Sequence, residues 1–235
     1  MASVHRAYGS EVGATRAEIV AEQIRQAIRV GAYGSGQRLV ELTLAAKLNV
    51  SQNTVRDGLR LLETAGWVVK HARHGVYVRS FTRDEVVEIY ALWQAVESLA
   101  LRWLMKSANR KDLTKLSRII QTARKDMLEG ELEESSEAIF EFHSLIGQLS
   151  GKPQTAEILE SLHNRIYLLE IIRQNRAPRS LRSHEERLLL YEKLVSLMDV
   201  SHFDEAQHLL EFLIQSDCDS LVPLFDNSPN LDSID

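Results

Sequence analysis

The stretch VSQNTVRDGLRLLETAGWVVKHARHGVYV, residues 50–78, decides the fold of the N-terminal part of the chain. Its first half has helical periodicity, because at about 100° per residue four small or apolar residues share one side: Val55, Gly58, Leu59 and Leu62. Another side is polar and consists of Gln52, Asn53, Arg56 and Arg60. Ser51 precedes the pattern as a natural N-cap. Two β-type runs, WVVK and VYV, then flank the turn HARHG, so the stretch predicts a helix followed by a hairpin.

Two further helices precede this stretch. Thr15 and Glu18 form a candidate capping box, and apolar residues at helical spacing follow it, so a helix is predicted over 16–30. A short second helix fits ELTLAAKLN, where Asn49 suits the left-handed conformation of a tight turn. Helix, turn, helix and hairpin together predict a winged helix-turn-helix.

The polar face of the third helix indicates DNA binding. Gln, Asn and Arg are the side chains that make bidentate bonds to base edges in the major groove, where a helix fits. The hairpin tip, with basic His71, Arg73 and His74 and flexible Gly75, suits a groove or the DNA backbone. A solvated amphipathic helix is the alternative reading of the same polar face.

Charge is distributed unevenly along the chain. Residues 1–80 contain 11 Lys and Arg against 6 Asp and Glu, whereas residues 81–235 contain 17 against 27. A polyanion such as DNA is therefore expected to meet only the first part. Residues 1–80 are predicted to form the DNA-binding domain and residues 81–235 a second domain.

The second domain is predicted to be an all-helical bundle, which makes the fold mainly α. Thr82 and Glu85 form another candidate capping box at the start of its first helix. Further helices fit 111–129, 132–149, 154–174, 183–200 and 203–222, with short connections typical of bundles and no alternating strand pattern.

The first part resembles the winged helix-turn-helix of GntR-family bacterial transcription regulators. The motifs that carry the resemblance are GQRL, LAAKLNVS, VRDGLRLLETAG and GVYV. The resemblance implies that Arg38, Ser51, Arg56 and Gly75 contact DNA. Gln52 and Asn53 depart from the family's usual Arg and Thr, which affects the operator sequence rather than DNA binding itself. The full predicted interface is Arg38, Ser51, Gln52, Asn53, Arg56, Arg60, Arg73, His74 and Gly75.

The second part resembles the FCD-type ligand-sensing domain of the FadR-like branch of that family. The motifs are ALWQAVESLALRWL, FH at 142–143 followed by LSGKPQTAEIL, and FDEAQHLLEFLI. Many members bind a metal through an Asp four residues before the FH histidine and two later histidines. Of these ligands this chain keeps His143, while Ile139, Tyr191 and Leu213 take the other positions, and Trp93 replaces a common Arg four residues before Glu97.

These departures predict a less polar, more aromatic cavity with no metal and no cofactor. Such a cavity favours an apolar or aromatic effector, since few groups remain to offset the desolvation of a charged one. The predicted effector residues are Trp93, Glu97, Ile139, His143, Arg165, Tyr191 and Leu213, with Arg165 either paired to an effector carboxylate or at the surface. The alternatives are a core without a ligand, or a small carboxylate with a metal held by His143 and a later histidine (His184, His202 or His208).

The resemblance implies a homodimeric regulator, usually a repressor, that binds a palindromic operator as double-stranded DNA and is controlled by a small molecule. No motif of an enzyme is present, so no catalytic residue is predicted. A helical adaptor with a vestigial winged helix is the alternative from another class. No signal peptide or membrane span is evident, which predicts a cytoplasmic protein, and the lone Cys218 is assigned no role.

Overall fold

The computed structural model describes residues 13–107 and 109–226 of the chain. The N-terminal group consists of α1 (Arg16–Arg29), β1 (Arg38–Leu39), α2 (Glu41–Leu48), α3 (Gln52–Thr64), β2 (Val68–His71) and β3 (Gly75–Val78). Six long helices follow: α4 (Arg83–Ser107), α5 (Arg110–Leu128), α6 (Leu132–Leu149), α7 (Pro153–Arg176), α8 (Leu181–Asp199) and α9 (Phe203–Leu221). A 3-10 helix over Val222–Phe225 follows α9. The predicted fold, a winged helix-turn-helix and an all-helical bundle, is confirmed.

Both predicted capping boxes are present. The Thr15 hydroxyl accepts a hydrogen bond from the Glu18 N–H at 3.3 Å, and the Glu18 carboxylate accepts one from the Thr15 N–H at 2.6 Å. At the start of α4, Thr82 and Glu85 make the same reciprocal pair at 3.3 and 2.8 Å. Each box satisfies backbone donors that a helix start leaves without a partner, so these helices begin where the sequence indicates.

The turn between α2 and α3 sets the position of α3. Asn49 ends α2 in the left-handed conformation, with φ 54° and ψ 47°, as its residue type suggests. Ser51 caps α3 by accepting a hydrogen bond from the Thr54 N–H at 3.1 Å. A connection of only three residues therefore fixes α3 relative to α2.

Close packing of α1 on α3 completes the N-terminal group. Gly58 of α3 lies so near α1 that a Cβ there would be 2.9 Å from Val20 Cγ1 and 3.0 Å from the Ala17 carbonyl oxygen. Glycine is needed because backbone cannot move aside as a flexible side chain can. Helices α1 and α3 are therefore in direct backbone-level contact at Gly58.

The sheet has three antiparallel strands in the order β1-β3-β2. Strand β1 is an element that the sequence reading missed, since two residues are too few for a visible alternation. It pairs with the wing in the register Arg38↔Tyr77. This pairing brings Arg38 beside the wing, although the two are far apart in sequence.

The bundle helices begin and end within two residues of the predicted limits. Residues 79–82 join β3 to α4, and the side chain of Phe81 in this connection is buried. The predicted domain limit at residue 80 falls in this connection. Within the described ranges, none of the helices has both the length and the apolar character needed to cross a membrane.

Candidate DNA interface and effector cavity

Helix α3 exposes the predicted polar face and buries the opposite one. Its buried residues are Val55, Gly58, Leu59 and Leu62. Its exposed residues include Gln52, Asn53, Arg56 and Arg60. The periodicity therefore placed each of these eight residues on the correct side of the helix.

Glu41, the first residue of α2, holds two side chains of this face. Its Oε2 accepts hydrogen bonds from Arg56 Nη2 at 2.8 Å and from Gln52 Nε2 at 3.2 Å, and its Oε1 lies 3.3 Å from Arg56 Nε. The hydrogen bond from Arg56 is the main cause that lowers the pKa of the Glu41 carboxyl. Sequence reasoning missed Glu41, because an acidic first-turn residue of a helix is usually explained by the helix dipole alone.

The other predicted residues of α3 have local partners. Asn53 Oδ1 lies 3.5 Å from Arg56 Nη1. Arg60 pairs with Asp57 at 3.2 Å, and both side chains are more than half exposed. Exposed pairs of this kind contribute little to stability, so Arg60 is available to another anion.

The wing tip gathers the remaining predicted DNA residues. Arg73 and Gly75 both have positive φ, 66° and 111°. A Cβ at Gly75 would lie 3.1 Å from Arg38 Nε, so the Arg38 side chain packs against the wing beside its tip. The Tyr77 hydroxyl donates a hydrogen bond to the His74 carbonyl oxygen at 3.2 Å and steadies the turn. Arg38, Arg73 and His74 are exposed.

In the bundle, four of the predicted effector residues form one buried cluster. Glu97 accepts hydrogen bonds from Trp93 Nε1 and, at 2.6 Å, from His143 Nδ1. His143 Nε2 lies 2.7 Å from the Tyr191 hydroxyl. Burial raises the pKa of Glu97, but the charge and hydrogen bond of His143, helped by His163, outweigh burial and lower this pKa to about 2. Glu97 is therefore a carboxylate at neutral pH.

A small cavity lies against this cluster. The volume open to a water-sized sphere is about 10 Å³, which is room for about one water molecule. The cavity is lined by Tyr90, Trp93, Ile139, Phe140, His143, Ile166, Glu170, Arg187 and Asp217. The prediction of a less polar cavity lining is wrong. Beside the aromatic residues, the cavity is lined by three charged residues: Glu170 of α7, Arg187 of α8 and Asp217 of α9.

Those charged residues belong to a buried ionic network. Asp217 accepts hydrogen bonds from Arg179 at 2.7 Å and from Arg187 at 2.5 Å. Glu170 pairs with Arg173, three residues further along α7. Burial raises the pKa of Asp217, but the two arginines lower it more. Sequence reasoning missed this network, although Asp217 stands at the helical spacing of the buried Leu213 and Ile214, where a charge is unusual.

Of the predicted effector residues, Glu97 and Tyr191 bond to His143 without lining the cavity, and two others lie elsewhere. Arg165 packs against Gly66, whose Cβ would be 3.5 Å from Arg165 Cγ, and is not among the residues that line the cavity. Leu213 is buried in α9 and does not line it either. Neither Arg165 nor Leu213 is thus in a position to touch a ligand there.

The residues present do not fit the metal that the family resemblance implies. Both ring nitrogens of His143 have protein partners, Glu97 and Tyr191. His184 Nε2 bonds instead to Ser135 at 2.8 Å, and Ser135 in turn donates to the Ala123 carbonyl oxygen. In the described ranges no group of three or more His, Cys, Asp or Glu is placed to hold a metal ion.

The two parts of the chain meet at Arg29 of α1, whose side chain is only 6% exposed. It pairs with Glu133 at 2.9 Å and with Glu137, both on α6. The Tyr167 hydroxyl donates a hydrogen bond to Glu137 at 3.2 Å. The Tyr167 ring also contacts Trp67 of the N-terminal group, with ring centroids 5.8 Å apart.

The aromatic contacts continue from this junction to the cavity. The ring of Phe140, which lines the cavity, meets the Tyr167 ring edge to face at 5.1 Å. Tyr167 therefore touches both the cavity wall and the N-terminal group.

Two family models match this chain and together cover most of it. Residues 16–78 match the model described as bacterial regulatory proteins, gntR family, and residues 88–215 match the FCD domain. The second match alone spans more than half of the chain. Members of this family bind DNA as transcription regulators.

The relatives agree with this assignment. The HTH-type transcriptional regulator YdhC of Bacillus subtilis is 29% identical over 168 residues, 69% of this chain and 74% of YdhC. The gluconate operon transcriptional repressor of the same species is 28% identical over 127 residues, 54% of this chain and 52% of the repressor. The solved structure of Escherichia coli McbR superposes with a TM-score of 0.76 at 19% identity, covering 91% of this chain and all of McbR, which shows a shared fold. The chain belongs to the GntR family and is a DNA-binding transcriptional regulator with a C-terminal FCD domain.

Proposed function

We propose that the protein is a repressor that binds a palindromic operator as a homodimer and is released by a small-molecule effector held in the helical bundle. The observation that carries the proposal is the exposed face of α3, formed by Gln52, Asn53, Arg56 and Arg60. Repression rather than activation is supported by the name of one relative, a gluconate operon repressor.

Base and backbone contacts are divided between α3 and the wing in this proposal. Gln52, Asn53 and Arg56 read base edges in the major groove, because their side chains make the bidentate contacts that distinguish bases. Ser51 and Arg60 bind phosphates at the two ends of this face. At the wing, Arg38, Arg73 and His74 bind the backbone, and Gly75 lets it approach closely.

A second copy of the chain is proposed to cover an apolar strip on α4. Leu92 and Leu99 are 47% and 39% exposed and lie seven residues apart, nearly on one face of the helix. Pairing of the same strip from two copies gives a two-fold dimer. Two recognition helices then reach half-sites about 34 Å apart.

The effector is proposed to have an aromatic or apolar body. The cavity has aromatic walls, and its charged residues are paired inside the protein, Arg187 with Asp217 and Glu170 with Arg173. A charged ligand would have to break a buried ion pair, which is costly. Because the cavity holds about one water as it stands, an organic effector has to displace side chains to enter.

That displacement is the proposed signal. Phe140, which lines the cavity, touches the Tyr167 ring. Tyr167 in turn donates a hydrogen bond to Glu137, which pairs with Arg29. Movement of Phe140 shifts Tyr167 and weakens the contacts that Glu137 and Tyr167 make with Arg29 of α1. A shift of α1 then moves α3, because the two helices pack closely at Gly58. The effector thus favours a geometry that no longer matches the operator spacing.

Selection of duplexes from a random pool, followed by footprinting and native mass spectrometry of the complex, tests the DNA part of the proposal. We expect an inverted repeat with half-site centres about one helical turn apart, bound by two chains. A single asymmetric site bound by one chain is incompatible with the proposed dimer.

The effector part is tested by thermal unfolding and operator binding with two sets of compounds. Neutral aromatics such as indole should raise Tm and weaken operator binding, since binding to one state shifts the equilibrium toward it. If succinate and gluconate do both and indole does neither, the proposed effector class is wrong.

A further inference from the structure

Glu41 occupies the Nε–Nη2 edge of the Arg56 guanidinium, while Nη1 has only a long contact of 3.5 Å with Asn53 Oδ1 on the same helix. The Glu41 carboxylate faces Nε and Nη2 of Arg56, at 3.3 and 2.8 Å. The edge formed by Nη1 and Nη2 points away from this carboxylate, because the five N–H donors of a guanidinium form a rigid planar fork. That edge is the one that suits guanine O6 and N7, the commonest specific contact between protein and DNA.

The same carboxylate also restrains Gln52, one turn earlier on α3. Gln52 Nε2 donates to Glu41 Oε2 at 3.2 Å, which orients the amide, and no residue of the described ranges bonds to its carbonyl oxygen. One acidic side chain on α2 therefore sets the orientation of two candidate base-reading side chains on α3. Long side chains lose much rotamer entropy when they are ordered by DNA, and a preset orientation reduces that loss.

A negative charge beside the major-groove face also has an electrostatic effect. Non-specific binding depends on Lys and Arg contacts with phosphates. With Glu41 as its partner, Arg56 is partly neutralised and aligned, so it is a poorer general phosphate ligand and a better reader of a base edge.

We propose that Glu41 is a specificity-determining residue of the DNA interface, which positions Arg56 and Gln52 for base contact and opposes binding to arbitrary sequences. The inference rests on the proposed entry of α3 into the major groove. It goes further in assigning operator selectivity to a residue of α2 that itself does not read a base.

If Glu41 had a purely structural role, its loss would lower Tm and leave the discrimination between DNA sequences unchanged. The Arg56 and Glu41 side chains are 45% and 26% exposed, and ion pairs at such exposure add little to stability. Loss of Glu41 should therefore leave Tm nearly unchanged while it alters DNA discrimination.

The test uses the full chain and the duplex that the wild type selects from a random pool. Affinities of wild type, Glu41→Gln and Arg56→Ala are measured for that duplex, for single-base variants and for an unrelated duplex, over a salt series. Glu63→Gln is the matched control, because Glu63 is an exposed residue of α3 whose loss changes the net charge equally.

We expect Glu41→Gln to bind the unrelated duplex several-fold more tightly and to reduce the ratio of specific to non-specific affinity by about tenfold, in line with one well-formed base contact. Glu63→Gln should alter both affinities alike and keep the ratio. The inference is overturned if Arg56→Ala loses specific binding but Glu41→Gln keeps the wild-type ratio. If Arg56→Ala itself keeps specific binding, the placement of α3 in the groove fails first.

Discussion

Arg29 and Glu137 form an ion pair that joins the DNA-binding group to the helical bundle across 108 residues of sequence. Arg29 is almost fully buried and Glu137 is 22% exposed. Tyr167 adds a hydrogen bond to Glu137 and places its ring against the Arg29 guanidinium, 5.8 Å from the ring centroid. The pair is thus part of a desolvated junction, where an unmatched charge is costly.

Removal of Glu137 should destabilise the protein substantially. In Glu137→Ala, Arg29 keeps the more exposed Glu133 but loses its better buried partner, so the free energy of unfolding should fall by about 2–4 kcal/mol. Urea unfolding measures this loss. Asp226→Asn is the control, because its pair with Arg83 is 55% exposed on both sides and should contribute no more than about 1 kcal/mol. Equal effects of the two substitutions would contradict the account of the junction.

The buried His184 should make the protein less stable in mild acid. Burial and the nearby Arg187 lower the pKa of His184 from 6.5 to about 4. The unfolded chain then binds a proton that the folded chain does not, so stability is fully present above pH 6.5 and falls as the pH drops from 6.5 toward about 4. The slope is at most about 1.4 kcal/mol per pH unit.

The test compares the unfolding free energies of wild type and His184→Gln between pH 4 and 7. Both proteins have the same carboxylates, so the difference between them isolates the contribution of His184. The difference between the two proteins should shrink steadily as the pH falls. A difference that stays constant across the range would show that His184 does not titrate in this way.

Close packing at Gly58 should override helix propensity. Alanine at a helical glycine normally stabilises by about 1 kcal/mol, but here the new Cβ meets Val20 and the Ala17 backbone. Because overpacking costs about 1–3 kcal/mol, Gly58→Ala should be destabilised overall. Gly34→Ala is the control, with no heavy atom within 4 Å of its Cβ. Chemical denaturation that finds Gly58→Ala more stable than wild type would refute the close contact between α1 and α3.

Purified protein should contain no stoichiometric zinc or nickel, and a chelator should leave operator binding unchanged. The reason is that Glu97 and Tyr191 already engage both nitrogens of His143. Elemental analysis alongside native mass spectrometry makes the measurement. One metal per chain that disappears in His143→Ala would mean that the cluster rearranges to form a site.

The parts of the fold that the sequence predicts correctly are those that depend on residues close to one another along the chain. The capping boxes at Thr15 and Thr82 and the left-handed Asn49 depend on residues within a few positions of one another. Helical periodicity sorted the α3 side chains for the same reason. These features depend on neighbours along the chain, so one sequence is sufficient to find them.

Long-range pairings were not predictable in the same way. Glu41 and Arg56 are separated by 15 residues and Arg29 and Glu137 by 108, and nothing in either segment identifies its partner. The ionic network at Asp217 had one local signal, a charge on a buried helix face. Because that signal was not used, the sequence predicted a less polar cavity lining than the structure has, with Glu170, Arg187 and Asp217 in the wall.

Operator binding by Arg56→Ala tests the central claim, that α3 reads DNA, most directly. Fluorescence titration of the selected duplex with wild type, Arg56→Ala and the control Arg118→Ala, an exposed residue of α5, makes the comparison. The account predicts a loss of specific affinity of roughly 5- to 150-fold for Arg56→Ala and none for Arg118→Ala. Unchanged specific affinity in Arg56→Ala would contradict the claim.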